Sequence, residues 1–227
     1  MNAEHMIDFI RVALEKVDQP YYASQPHHDE LLERFGIPPY QNQYNQLVSF
    51  LTRYGERVFC YEFYHQVRIL VDHHYREHPE EAQEDRQACL YLQAELHKAQ
   101  IRDLLELFAN VEAQLDKEYI PDFLLHGIGH FRRQELIVEV KSNPQLPISD
   151  FKYDVGKLQE FITKYSYRYG LFLTVNTHPR KILQMLHFLR RSGWLDNIVS
   201  KDQIVVMCKP DQHAPLYEVR LDSIPDQ

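Results

Sequence analysis

The sequence predicts an α/β fold built on a mixed sheet, and three observations lead there. Helical and strand-like periodicities alternate in the order helix, strand, helix, two strands, helix, strand. The run YGLFLTVNT, residues 169–177, is apolar enough to be a strand buried on both faces. The run ELIVEVK, residues 135–141, places Leu136, Val138 and Val140 on one face of a strand and Glu135, Ile137, Glu139 and Lys141 on the other.

Element by element, AEHMIDFIRVALEKV (3–17) sets Met6, Ile10, Val12, Ala13 and Val17 at helical spacing. DQPYYASQPHH, with two prolines, reads as a loop, and DELLERF as a short helix stopped by Gly36 and the Pro38–Pro39 pair. Residues 43–78 read mostly as helix, with a break expected at Gly55; Pro79 and the acidic run EEAQED read as a solvated loop. ACLYLQAELH is the first strand, with Tyr91, Gln93, Glu95 and His97 on one face. QIRDLLELFANVEAQL is an amphipathic helix, with Ile101, Leu104, Leu105, Phe108 and Val111 on one stripe. Strands are expected over 119–126 and 134–141, and a helix over 150–168 with Leu158, Phe161, Ile162 and Tyr165 at i, i+3, i+4 and i+7. After the strand at 169–177 come a helix opened by Pro179 and two late strands, DQIVVMCK and LYEVRL. Residues 1–42 form a helical extension packed on a core of residues 43–227, in one globular unit.

Composition narrows the function. A chain of 227 residues with 44% hydrophobic and 12% aromatic content is a folded protein. The net charge of −8 excludes a role resting on broad non-specific phosphate contact, so nucleic acid would need a local basic surface. Such residues occur: Arg132, Arg133, Lys164, Arg168, Arg180, Lys181, Arg190 and Arg191, with Tyr153, Tyr165, Tyr167 and Tyr169 interleaved as stacking candidates. Scattered solvated charge is their ordinary reading. The three cysteines lack metal spacing and suit a reducing cytoplasm. No signal peptide is read at the N-terminus, and no apolar run approaches the roughly 20 residues of a membrane span.

The polar residues on apolar strands carry the chemistry. Asp122 follows Pro121 in YIPDFLLH, and seventeen positions later Glu139 and Lys141 interrupt the next strand at i and i+2. If the two strands pair, Asp122 meets Glu139, while Pro121 marks an edge or a bend that opens a small cleft. Two adjacent carboxylates repel unless a cation lies between them. Magnesium suits such a pair, since it takes one or two carboxylates and completes its shell with water and phosphate oxygens. Lys141 is placed to orient a water or steady a phosphate, as metal-assisted phosphodiester hydrolysis requires. The plainer reading is a Glu139–Lys141 salt bridge with Asp122 as a turn residue.

PDFLLH followed by ELIVEVK, in that element order, resembles the PD-(D/E)xK nuclease superfamily. YEFYHQVR (61–68), AELHK (94–98), YIPDFLLH (119–126), LIVEVKS (136–142) and DFKYDVGKL (150–158) look like one bacterial branch of it, covering residues 43–176. The resemblance implies a restriction-endonuclease-like core: helix, three strands, helix and strand on a mixed sheet, with a helical N-terminal extension and an extra C-terminal helix and strands. It implies Asp122 and Glu139 as magnesium ligands (manganese substituting), the Val140 carbonyl as a further ligand, Lys141 as the catalytic lysine and Glu62 as the carboxylate sent from the first helix. Glu62 lies beside the core-facing stripe of its helix, with His65 and Gln66 one turn on; a salt bridge to Arg68 or Lys141 is its ordinary role. Glu95, Lys157, His65 and Gln66 are supporting or nucleic-acid-binding candidates, with Lys98 and Asp154 beside them; a surface helix pair is the ordinary reading of Asp154 and Lys157. The Gln-x-x-x-Tyr of the helicase-associated exonuclease subgroup is absent, since Thr163 stands four positions after Gln159. The expected partner is nucleic acid, DNA ahead of RNA, with no membrane and with a homodimer allowed.

Two rival readings remain. His74, Glu77 and His78 fit the H-x-x-E-H zinc-peptidase pattern, but Pro79 ends the helix at once and the third ligand, Glu106 or Glu112, is a guess. The other is a non-catalytic nucleic-acid-binding or adaptor module on a nuclease-like fold.

Overall fold

A computed structural model describes residues 1–22, 33–34, 36, 42–94, 119–128 and 132–225. Helices α1 (Ala3–Lys16), α2 (Gln19–Tyr22), α3 (Asn42–Glu77) and α4 (Pro79–Gln87) precede the sheet. Then follow β1 (Leu90–Ala94), β2 (Phe123–Gly127), β3 (Gln134–Ser142), α5 (Ile148–Tyr165), β4 (Tyr169–Val175), α6 (Pro179–Arg191), β5 (Ile204–Lys209) and β6 (Tyr217–Arg220). Most of DELLERF, the helix expected after residue 100, Glu95 and Lys98 lie outside the described residues.

The six strands form one mixed sheet in sequence order. The pairs β1–β2, β2–β3 and β5–β6 are antiparallel, whereas β3–β4 and β4–β5 are parallel and are joined through α5 and α6. Two apolar layers sandwich the sheet. Leu136, Val138 and Val140 face α1 and α3, and Ile137 faces α5, as the alternation of ELIVEVK requires. Gly170 lets α5 approach closely: a Cβ there would stand 3.0 Å from the Leu158 Cβ. That contact brings the turn of α5 carrying Asp154 and Lys157 down onto β3 and β4.

Helix α3 runs unbroken through Gly55. Its buried stripe is Phe59, Phe63, Val67 and Val71, while Ile69 is exposed. Phe63 meets Phe123 edge-on at 5.6 Å and Tyr64 stacks on the same ring at 5.9 Å, which fixes α3 against β2. Each such buried aromatic contributes roughly 1.5–3 kcal/mol through burial.

Three local expectations are corrected. EEAQED is helical, not a solvated loop: Pro79 presets the first turn, Glu80 and Glu81 lie at its electropositive end, and Ala82 and Asp85 are buried. Asp85 is buried because it meets Arg133 at 2.9 Å, the Tyr75 hydroxyl at 2.8 Å and the Met1 ammonium. Part of DQPYYASQPHH is likewise helical, anchored by the Tyr22 hydroxyl donating to the Leu14 carbonyl at 2.6 Å. Val12 points out from α1, whose buried face is instead Met6, Ile7, Ile10, Ala13 and Leu14.

Candidate functional site

The β2–β3 register pairs Phe123 with Val138 and Leu124 with Ile137. One step back from it, Asp122 stands opposite Glu139. Pro121 and the bend at Asp122 end the ladder there, as a residue without an amide donor should. The carboxylate of Asp122 replaces the lost ladder bond by accepting the Val140 N–H at 2.7 Å.

Around this point α3 and α5 add charges. Lys157 donates to Glu139 Oε2 at 2.5 Å and lies 3.7 Å from Asp154. Lys141 sits 3.5 Å from Asp154 and 3.7 Å from Glu56. Glu56 also accepts the Ser142 N–H at 3.0 Å, across the end of β3. Glu139, Asp154 and Lys157 are buried, and Lys141 keeps part of its side chain in solvent. The cluster thus holds four carboxylates and two ammonium groups.

Burial drives its titration. It pushes the Asp122 carboxyl up to about 6, against the Val140 N–H and Lys141, which favour the charged form. Burial and then the Asp122 charge push Glu139 well above the usual carboxylate range, with Lys157 opposing. Asp154 is raised by burial as well, against both lysines. Burial disfavours the Lys141 ammonium, but Glu56, Asp154, Asp122 and Glu139 together outweigh it and raise its pKa.

Asp122, Glu139, Lys141 and Lys157 therefore come together, with Asp154 beside them. Lys157 and Asp154 do not form a surface helix pair. Glu62 accepts from Gln66 at 2.6 Å on α3, His65 is exposed, and Glu56 is the residue of this helix that reaches Lys141. A sequence signal for Glu56 exists: it precedes Phe59 and Phe63 by three and seven positions and so extends the buried stripe. Glu95, outside the described residues, has no described position.

The expected basic surface is partly spent inside the chain. Arg133 binds Asp85, Lys164 binds Glu160 at 2.9 Å, and Arg190 donates to the Ile224 carbonyl at 3.1 Å. Tyr165 and Tyr167 are core residues, whereas Tyr153 is 49% exposed and lies beside Lys157.

Among the described residues, His74, Glu77 and His78 do not form a metal-ligand group, although the His74 and His78 rings stack at 4.3 Å. Glu77 pairs with His73 at 3.3 Å, and His78 turns its Nδ1 to the His74 carbonyl at 3.0 Å. None of the described helices is long and apolar enough to cross a membrane. Comparison with protein-family models, curated proteins and solved structures found no match.

The raised Asp122 pKa has a measurable consequence. Folded Asp122 binds its proton more tightly than the unfolded chain, where an aspartate titrates near ~4. Its contribution to stability is complete below that pH and is lost as pH rises through about 6. In magnesium-free buffer, Asp122→Asn is expected to be more stable than wild type at pH 8, by about 1–3 kcal/mol, and no more stable at pH 4. Urea unfolding at the two pH values checks this, and equal pH slopes for both proteins would reject it.

Proposed function

We propose that the protein is a magnesium-dependent nuclease on a restriction-endonuclease-like core, hydrolysing phosphodiester bonds of DNA ahead of RNA in the cytoplasm. The order helix α3, antiparallel β1–β2–β3, helix α5 and parallel β4 supports the core assignment. One observation carries the activity: buried Glu139, with Oε1 lacking a hydrogen-bond partner among the described residues, stands opposite Asp122 at a sheet end beside Lys141. Fully ionised, the four carboxylates would exceed the two ammonium groups by two negative charges, an excess that burial opposes and that a divalent cation would balance.

Asp122 and Glu139 would hold magnesium, or manganese in its place, with the Val140 carbonyl as the further ligand that the family resemblance suggests. The ion's contribution when bound is to acidify a water and offset phosphate charge. Lys141, kept protonated by its carboxylate neighbours, is no proton acceptor; its ammonium steadies the phosphate or orients the attacking water. Glu56 and Asp154 aim Lys141. Lys157 compensates the Glu139 charge.

The test is cleavage. Wild-type protein with magnesium should nick or degrade plasmid or single-stranded DNA, EDTA should stop it, and Glu139→Ala should be inactive. Cleavage that persists in Glu139→Ala would assign the activity to a contaminant or another site. The Lys157–Glu139 contact, which satisfies one ligand oxygen from within the chain, favours a second reading as a non-catalytic nucleic-acid-binding module. Binding of DNA without magnesium-dependent cutting is its signature.

A further inference from the structure

A second cluster, built from α1, the C-terminal end of α3 and α4, uses one histidine of the H-x-x-E-H run with partners the run does not contain. His5 comes from α1, His74 from the end of α3 and Glu81 from the first turn of α4. One ligand atom from each lies within 4.8 Å of the other two. Glu81 Oε2 is 2.8 Å from His74 Nε2, and Glu81 Oε1 is 3.9 Å from His5 Nδ1. We propose that His5, His74 and Glu81 form a binding site for a divalent transition-metal ion of the zinc type, separate from the Asp122–Glu139 cluster.

Two imidazoles and one carboxylate are the donors zinc takes, whereas magnesium prefers oxygen alone. Ligand bonds of about 2.0–2.1 Å at tetrahedral angles set the donor atoms about 3.4 Å apart, so the observed spread closes with small side-chain rotations. The less confined member is His5, whose side chain is 49% exposed. His74 is held more firmly, between the Phe9 ring at 5.5 Å and the His78 ring stacked at 4.3 Å. The solvent side of His5 leaves the fourth position to a water. Glu81 meets the Met1 ammonium through Oε1, which leaves Oε2, the oxygen facing His74, for the metal. Because the three ligands come from three helices, the ion would lock α1 onto the α3–α4 corner.

The test is a calorimetric zinc titration of untagged protein in magnesium-free buffer, with melting curves alongside. One zinc per chain is expected. His5→Ala and His74→Ala should each weaken it at least tenfold, and His73→Ala, an exposed neighbour paired with Glu77, should leave it unchanged. Zinc at about a hundredfold over its Kd should raise the wild-type melting temperature by several degrees, and that of His5→Ala far less. Half-exposed His5 can be truncated without disturbing the core, so folding failure does not obscure the result. Zinc bound by His5→Ala with wild-type affinity, or no zinc bound by wild type, would overturn the proposal. Neither result touches the nuclease reading, whose residues are Asp122, Glu139 and Lys141.

Discussion

Replacing Lys141 by methionine is expected to lower magnesium-dependent DNA cleavage by about 100- to 1000-fold, the usual effect of deleting one preorganised cationic or hydrogen-bonding group aimed at developing charge. The geometry explains why stability should change little. The Lys141 ammonium lies 3.5–3.7 Å from Asp154 and Glu56, beyond a short hydrogen bond, and its side chain is 23% exposed. The Glu56 pair is partly solvated and contributes about 1 kcal/mol or less, and buried Asp154 keeps Lys157 at 3.7 Å as its counter-ion when Lys141 is removed. Cleavage and thermal unfolding measured on the same preparation separate the two effects. Lys141→Arg keeps the charge but exchanges a point charge for a planar fork, so it should recover only part of the activity. A methionine variant that cuts at the wild-type rate would remove Lys141 from the site.

Lys157→Met should behave in the opposite way, with a large loss of stability. Lys157 and Glu139 are both buried, and they meet through a single short contact. Removing one member of a buried pair leaves the other without compensation, at a cost of about 3–5 kcal/mol. The double variant Lys157→Met with Glu139→Gln should regain much of that loss, since replacing both charges removes the unpaired one. A urea-unfolding double-mutant cycle measures the coupling. If Lys157→Met alone is as stable as wild type, the pair does not hold this end of the sheet.

Much of the fold was legible because its signals are periodic. The alternation in ELIVEVK fixed which side chains of β3 face which layer, and Pro121 marked where the β2 ladder stops. The pairing of Asp122 with Glu139 followed from the strand order. What escaped depended on rotation and on distant partners. Glu62 and Glu56 lie on one long helix, and only packing of Phe63 against Phe123 decides which turn meets the end of β3. The acidic run after Pro79 looked solvated because the partners of Asp85, Met1 and Arg133, are remote in sequence. Tyr167 resembled a surface stacking residue, and Tyr165 fitted both that role and the apolar stripe of its helix, because aromatic rings suit core and nucleic-acid faces equally.

Helix α1 is fastened at both ends to strands far away in the chain. The Ala3 amide donates to Glu135, Arg11 grips both carboxylate oxygens of Glu218 at 2.8 and 2.7 Å, and Glu15 accepts from buried Lys209 at 2.8 Å. The Arg11 contact closes a loop of 207 residues. Such long closures carry a large chain-entropy cost, and they are rewarded only once the partner strands exist. Helix α1 is therefore among the last elements to find its place, and until it docks, the apolar side of the sheet beneath it is open to water and to other chains.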